Sequence, residues 1–146
     1  MTQIREQAIR GLTAGDVFTV TRTFSESDTI AFGEISGDAN PIHFDEHFAA
    51  AKGFRGKICH GLLVGGMITE VGGQVGWLAS GMNFRFRRPV YFGDTITCVF
   101  TITEVDERNR AKAEAVLSNQ HSEVVTEAWL TGVLPGQTER NILAQI

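Results

Sequence analysis

The spacing of apolar and polar residues changes several times along the first half of the chain. Apolar and polar residues alternate over positions 17–23, a period of two that predicts a strand after the turn at Gly15-Asp16. Ser25 is followed three residues later by Asp28, which resembles a capping box and predicts a helix that ends at Ser36-Gly37. The inward face of this helix is expected to consist of Ile30, Ala31, Phe32 and Ile35.

Two more helices are predicted before the pattern changes to that of strands. Asp45 fits the N-cap of a short helix that ends by Gly53. Residues 61 to about 75 carry apolar side chains on nearly every side, which predicts a helix covered by protein all round. Glu70 and Gln74 interrupt this stretch and several glycines crowd it, so it fits a buried helix better than a membrane span.

The second half of the chain has the composition of strands. Positions 82–86, 94–105, 110–119 and 123–134 are rich in β-branched and aromatic residues or alternate with period two. The turn-prone residues 119–122 separate the last two segments, which predicts an antiparallel meander.

The predicted order is one strand, then helices that end with the apolar one, then a run of antiparallel strands. This order favours an α+β fold in which an antiparallel β-sheet wraps around a central α-helix. The chain contains no internal repeat, low-complexity tract or linker, and its 146 residues suit one domain. We therefore expect a single domain over 1–146, with 1–10 and 136–146 as peripheral ends.

Charge and cysteine content narrow the function classes. A net charge of −4 with dispersed Lys and Arg gives no basic surface for nucleic acid. The opening residues lack the apolar core of a secretory signal, and the two cysteines suit free thiols in a reducing compartment. We expect a cytoplasmic protein that binds neither nucleic acid nor membrane.

The most informative segment is Ser-Gly-Asp-Ala-Asn-Pro-Ile-His at 36–43. It places Asp38 and His43 five residues apart across a loop that Pro41 stiffens. Proline fixes its own φ and pushes Asn40 out of the α region. Such a loop can aim two proton-transfer groups at one point.

This segment carries a resemblance to a known family. With Phe32 four residues before it and Ala49 six after it, it resembles the signature of the MaoC-like, (R)-specific enoyl-CoA hydratases. The similarity continues through 60–62 and 84–94, and covers about 15–134. It implies a hot-dog fold, a dimer or larger homo-oligomer, reversible hydration of trans-2-enoyl thioesters to (R)-3-hydroxyacyl thioesters, and no metal or redox cofactor.

Hydration of an enoyl thioester needs a base for water, an acid for the α-carbon, and donors to the thioester oxygen. Asp38 and His43 can supply the first two as a pair, with the order of their roles left open. Gly61 begins the apolar helix, so its N–H is an unpaired donor at a positive helix end. The resemblance also places the oxyanion contact at Gly61.

Two further residues are assigned supporting roles. Gly61, Gly65 and Thr69 share a helix face, so an acyl group could lie along the glycines with the Thr69 hydroxyl nearby. Asn40 is expected to hold the loop through bonds to backbone groups.

Other side chains suggest different chemistry. His43, His47, His60 and Asp45 could form a metal site, but His43 precedes the short helix, so its spacing to His47 need not align the two rings. Cys59 beside His60 could suggest a thiol nucleophile, although neighbouring strand residues point to opposite faces. Arg85, Arg87 and Arg88 fit a half-exposed strand from which one arginine could contact a coenzyme A phosphate.

Several functions remain open on the same residues. A dehydratase could act on acyl carrier protein thioesters or on a specialised acyl-CoA, and the basic Lys52, Arg55 and Lys57 could meet either carrier. A thioesterase or a non-catalytic acyl-CoA-binding module could use the same fold. A sheet wrapped on one helix leaves an exposed edge, so pairing of two edges predicts a homodimer.

Overall fold

The computed structural model describes all residues from Met1 to Ile146. The elements are α1 (Gln3–Arg10), β1 (Val17–Thr23), α2 (Glu26–Ser36), a 3₁₀ helix (Pro41–His43), α3 (Glu46–Ala51), α4 (Gly61–Gly65), α5 (Met67–Val75), β2 (Leu78–Phe86), β3 (Thr95–Val105), β4 (Arg110–Ser118), β5 (Val124–Val133) and α6 (Gln137–Leu143). None of the helices has the length and apolar content that crossing a membrane requires.

One five-stranded antiparallel sheet forms the body of the molecule, in the order β1-β3-β4-β5-β2. The predicted meander of β3, β4 and β5 is confirmed, and β1 and β2 are the two edges. Alternate residues of each central strand face inward; on β4 they are Ala111, Ala113, Ala115 and Leu117. Three alanines in this row let the helical layer approach the sheet closely.

The central helix packs on this inner face but differs from its prediction. The expected continuous helix is divided at Gly66, because the Gly66 carbonyl accepts both the N–H and the hydroxyl of Thr69 and so leaves the helical ladder. The buried side of α5 consists of Met67, Ile68, Val71 and Val75. Thr69, Glu70 and Gly73 are exposed, so the prediction of a helix covered all round is wrong.

Helix α2 begins as predicted but turns another face inward. Both hydrogen bonds of the capping box between Ser25 and Asp28 are present. Ile30 and Ile35, expected inside, are 48% and 88% exposed. Phe32, also expected inside, is partly buried, and the positions beside it that face inward are Thr29 and Gly33. This stripe has helical spacing, and Gly33 lies against the ring of Phe44, where a β-carbon would be 2.7 Å from the ring.

The two ends of the chain are helical. Helix α1 packs at the C-terminal end of α5, where Arg5 Nε donates to the carbonyl of Gln74 at 2.6 Å. A guanidinium at this position satisfies a carbonyl that the helix itself leaves unpaired. Ala8 on the same helix is almost fully buried, so α1 adds to the core.

Candidate active site

The loop between α2 and α3 carries Asp38 and His43. Gly37 ends α2 in the left-handed region at φ +74°, a conformation that glycine adopts without a steric penalty. Asn40 Oδ1 accepts from the N–H of Ile42 and caps the 3₁₀ helix, while Asn40 N–H donates to Asp38 Oδ1 at 3.0 Å. Asn40 therefore bonds within the loop and does not line the cavity described below.

His43 is buried, and the structure assigns its tautomer. Its Nδ1 lies 2.8 Å from the carbonyl oxygen of Ile58. A carbonyl can only accept, so Nδ1 carries the proton and Nε2 of the neutral ring carries a lone pair. Burial lowers the pKa of His43 below its usual value, helped by nearby His60 and opposed by the Ile58 bond and by Asp38. His43 Nε2 is thus an acceptor at neutral pH.

The Asp38 carboxylate lies beside this lone pair. Asp38 Oδ2 and His43 Nε2 are 3.9 Å apart, beyond the range of a direct hydrogen bond. The Asp38 side chain is 47% exposed, whereas the His43 ring is buried. The two acceptors therefore meet where solvent reaches the protein interior.

The sequence suggested His60 for a possible metal site and, beside Cys59, for a possible thiol nucleophile, but gave it no role in hydration. His60 is 1% exposed, and its Nε2 lies 3.0 Å from the Asp38 carbonyl oxygen. Its ring stacks on that of His43 with centroids 3.8 Å apart and an angle of 28° between the planes. The signal for His60 in the sequence was its place directly before Gly61, within the second segment of the family resemblance.

The structure separates the other two members of that possible metal site. His47 is exposed on α3, and Asp45 Oδ1 caps the same helix by accepting from Phe48 N–H at 2.7 Å. They lie outside the cluster that Asp38, His43 and His60 form, in which one ligand atom of each residue lies within 4.8 Å of the others.

This cluster has the residue types of a metal site, but its geometry is less suitable. His60 Nε2 donates to a carbonyl and so offers no lone pair to a metal. The rings of His43 and His60 are stacked nearly parallel, whereas metal-binding imidazoles must direct their lone pairs at one point about 2.0–2.1 Å away. The arrangement is better suited to proton transfer.

A cavity of about 660 Å³ opens on the pair. Asp38, His43 and Gly61 all line it, so the structure brings together the three residues assigned to the chemistry. Its apolar lining comes mainly from Phe32, Phe54, Ile58, Leu62, Val64, Phe86, Pro89 and Val90. A few polar groups in a mostly apolar cavity are typical of a small-molecule site.

Gly61 is the first residue of α4. His60 is the N-cap and makes no side-chain capping bond, and Gly61 N–H has no hydrogen-bond partner in the protein. Its amide is therefore available at the positive end of the helix.

The face of α4 along the glycines is covered by aromatic rings instead of being open to an acyl group. A β-carbon on Gly61 would lie 2.7 Å from the ring of Phe86, and one on Gly65 would lie 2.8 Å from the ring of Phe84. These two rings stack parallel on β2, with an angle of 3° between them. Pairing of β2 with β5 places them there.

Thr69 lies away from the cavity that contains the pair. Its hydroxyl donates to the carbonyl of Gly66 at 2.6 Å. It lines a smaller cavity of about 180 Å³ beside Trp77 and another one beside Glu70. The structure thus does not bring Thr69 to Asp38, His43 and Gly61.

The remaining candidate groups are held in other interactions. Burial raises the pKa of the Cys59 thiol to about 11, which keeps it protonated and unsuited to nucleophilic attack at neutral pH. Arg87 pairs with Glu127 at 2.7 Å, and Arg88 Nη1 donates to the carbonyl of Val124. Both arginines also line the cavity.

Comparison with known proteins gives a consistent result. Residues 13–138 match the family model described as MaoC like domain. The 3-hydroxybutyryl-CoA dehydratase of Methylorubrum extorquens is 33% identical over 99% of this chain and 94% of its own length. The mitochondrial 3-hydroxyacyl-[acyl-carrier-protein] dehydratase of Arabidopsis thaliana is 34% identical over 85% of this chain and 78% of its own length.

Solved structures show the same architecture. The unliganded R-hydratase PhaJ1 from Pseudomonas aeruginosa superposes with a TM-score of 0.79, at 30% identity over 87% of this chain and 84% of that chain. The expected hot-dog fold of the α+β class is therefore confirmed.

Proposed function

Because this chain belongs to the MaoC-like domain family, we propose that it is an (R)-specific enoyl-CoA hydratase. It adds water reversibly to trans-2-enoyl thioesters and, in the opposite direction, dehydrates (R)-3-hydroxyacyl thioesters. The observation that supports this activity most directly is the 3.9 Å separation of Asp38 Oδ2 and His43 Nε2, in a cavity that also contains Gly61.

The pair is suited to hold one water molecule. A water oxygen about 2.8 Å from each acceptor fits between atoms that are 3.9 Å apart. The carboxylate of Asp38 and the unprotonated Nε2 of His43 both accept, so this water donates a hydrogen to each. Its oxygen lone pairs then point away from the pair, toward the space in which a substrate lies.

Hydration follows from this arrangement. The water oxygen forms a bond to the β-carbon while one of its protons passes to the Asp38–His43 pair. The electron pair of the double bond moves toward the thioester oxygen, where the N–H of Gly61 stabilises the developing charge. The Asp38–His43 pair then returns a proton to the α-carbon, so one water molecule supplies both the hydroxyl and the hydrogen. Both come from one side of the substrate.

The test is to incubate the purified protein with crotonyl-CoA and to follow the loss of enoyl thioester absorbance. Hydration forms 3-hydroxybutyryl-CoA, and analysis of the product should show the (R) configuration. Release of free thiol without hydration would identify a thioesterase instead. Absence of both reactions, with tight binding of the thioester, would favour the non-catalytic acyl-CoA-binding module.

The carrier is a second question, because the relatives are named for both carriers. The Arabidopsis relative, which is 34% identical, is named for acyl carrier protein, and the Methylorubrum relative, which is 33% identical over 99% of this chain, is named for CoA. In this chain the guanidinium carbon of Arg55 lies 4.0 Å from the centroid of the Tyr91 ring. Arg55 follows Phe54, which lines the cavity, and it offers a cation to the phosphate group that both carriers contain. Comparing kcat/KM for crotonyl-CoA and the crotonyl thioester of acyl carrier protein distinguishes them.

We also propose a homodimer in the cytoplasm. Strand β2 pairs with β5 on one side only, and Leu78, Met82 and Phe86 on this edge are exposed. An edge strand with exposed apolar residues is a template for pairing with a second copy. Cys59 and Cys98 are both free and buried, which fits a reducing compartment.

A further inference from the structure

We propose that His60 is a positioning residue that holds the three parts of this site in one arrangement. The inference rests on the proposed hydration chemistry, because it concerns the geometry of the same Asp38, His43 and Gly61. His60 makes a separate contact or connection to each of these three residues.

The first contact is to the main chain of Asp38. His60 Nε2–H donates to the Asp38 carbonyl at 3.0 Å, across 22 positions of sequence. Asp38 belongs to an exposed loop, and its other bonds in the site are local, such as that from Asn40 N–H to its carboxylate. The bond from His60 is what ties the Asp38 backbone to the segment before α4.

The second contact is to the ring of His43. The bond to Ile58 restrains the rotation of this ring in its own plane, and the stacked His60 ring restrains its tilt. Both restraints are needed to keep Nε2 directed at Asp38. The ring centroids of Phe32 and Phe44 lie 4.9 Å and 5.8 Å from that of His60, so the imidazole itself is held on several sides.

The third connection is covalent. His60 is the N-cap of α4, and its peptide bond leads directly to Gly61 N–H. A displacement of His60 therefore moves the amide relative to the pair. One buried side chain thus couples the water-binding groups to the donor for the thioester oxygen.

A packing role alone does not account for an imidazole at this position. His60 Nδ1 is buried and has no hydrogen-bond partner. An unsatisfied buried polar atom is unfavourable, and a phenyl ring would fill the same aromatic environment without it. The polar atom that the position uses is Nε2, through its bond to Asp38.

The test separates the hydrogen bond from the ring. His60→Phe keeps an aromatic ring and removes the donor, while His60→Gln keeps a donor and removes the ring. The exposed His47→Gln is the matched control. With crotonyl-CoA, both His60 variants should lose about 10- to 100-fold in kcat with KM changed by less than about twofold, because misplaced catalytic groups slow the reaction step. His47→Gln should match the wild type.

An NMR titration of His43 measures a quantity, the titration midpoint of the imidazole, that a purely structural role of His60 would leave unchanged. His60 contributes to the low pKa of His43, alongside burial, and Asp38 is the opposing charge. His60→Phe keeps the ring covered but removes the second imidazole, so the titration midpoint of His43 should rise. Unchanged kcat and an unchanged midpoint in folded variants would overturn the proposal.

A measurement on the wild-type protein tests the proposal even if the His60 variants do not fold. Nitrogen chemical shifts should show His60 protonated at Nε2 and unprotonated at Nδ1, and the opposite tautomer would overturn the proposal. If the wild type proves inactive on enoyl thioesters, the proposed function fails. The tautomer and the His43 titration then still decide whether His60 positions the cluster.

Discussion

His43 Nδ1 lies 2.8 Å from the carbonyl oxygen of Ile58, and this bond decides which ring nitrogen faces Asp38. The protonated nitrogen is directed into the protein, and the lone pair of Nε2 is directed at the carboxylate. Two acceptors, and not a donor and an acceptor, therefore face each other across 3.9 Å. This pattern suits a water molecule that donates to both.

Activity should decrease as the pH is lowered. Burial holds the pKa of His43 below 6.5, and only the neutral ring offers a lone pair at Nε2. The value of kcat/KM should therefore be highest at pH values above the lowered pKa of His43, and should decrease as the pH falls through that pKa. A pH–rate profile with crotonyl-CoA checks this, and an acid midpoint at or above 6.5 would contradict it.

Asp38→Asn and His43→Gln should each reduce kcat by about 10²- to 10⁴-fold, the usual contribution of a proton-transfer group. The new amide oxygen in Asp38→Asn can still accept from the N–H of Asn40, so the loop should persist and the free energy of unfolding should change little. The double variant should lose little more than either single variant, because the two groups act on one water. Additive losses would argue against a shared water.

Gly61→Ala tests the close contact between α4 and β2. The added β-carbon would lie 2.7 Å from the Phe86 ring, so the ring or the helix must move. Overpacking of this kind costs about 1–3 kcal/mol, and a shifted amide should lower kcat. Denaturant unfolding measures the change in the free energy of unfolding, and the hydratase assay measures the change in kcat.

Gly73→Ala is the control for that substitution. Gly73 lies in α5, and a β-carbon added there would have no neighbouring atom within 4 Å. Alanine at an exposed helix position is more favourable than glycine by about 0.5–1 kcal/mol. The Gly73→Ala variant should be more stable than the wild type and equally active. A similar loss of activity in Gly73→Ala and Gly61→Ala would contradict a specific role for Gly61.

Asn40→Ala should affect both stability and activity. The variant loses the cap on Ile42 N–H, at about 1 kcal/mol, and frees the loop that carries Asp38. Asp45→Ala removes a similar cap, on α3, outside the cavity. It should lose a similar free energy of unfolding but keep kcat. Equal kcat values for the two variants would count against a positioning role for Asn40.

The proposed dimer can be tested at the edge of the sheet. Light scattering should give a mass of twice 16.0 kDa for the wild type. Met82→Lys places a charge on the β2 edge and should shift the mass toward one chain. Val99→Lys is the control, since Val99 is also exposed but lies on β3, which is paired on both sides. Dissociation of both variants would place the interface elsewhere.

Elements that depend on neighbouring residues were predicted well. The capping box of Ser25 and Asp28, the N-cap of Asp45 and the alternation of β3 to β5 all involve positions close in sequence. The buried stripe of α2 was predicted only in part: Phe32 lies on it as expected, but the partner surface selected Thr29 and Gly33 over the more apolar Ile30 and Ile35. Hydrophobicity alone does not show which face of a helix meets a neighbour.

The sequence by itself determined the fold class and the loop that presents Asp38 and His43, because turn residues, periodicity and a stiffening proline act over a few positions. It also indicated the family, through the resemblance of the motif at 36–43 to a known signature. Only the tertiary structure decided the tautomer of His43, which depends on a carbonyl 15 positions away, and the contact of His60 with Asp38 across 22 positions. It also placed the Phe84 and Phe86 rings on the glycines of α4. Contacts between distant segments follow from how the sheet and the helices pack, and no local spacing specifies them.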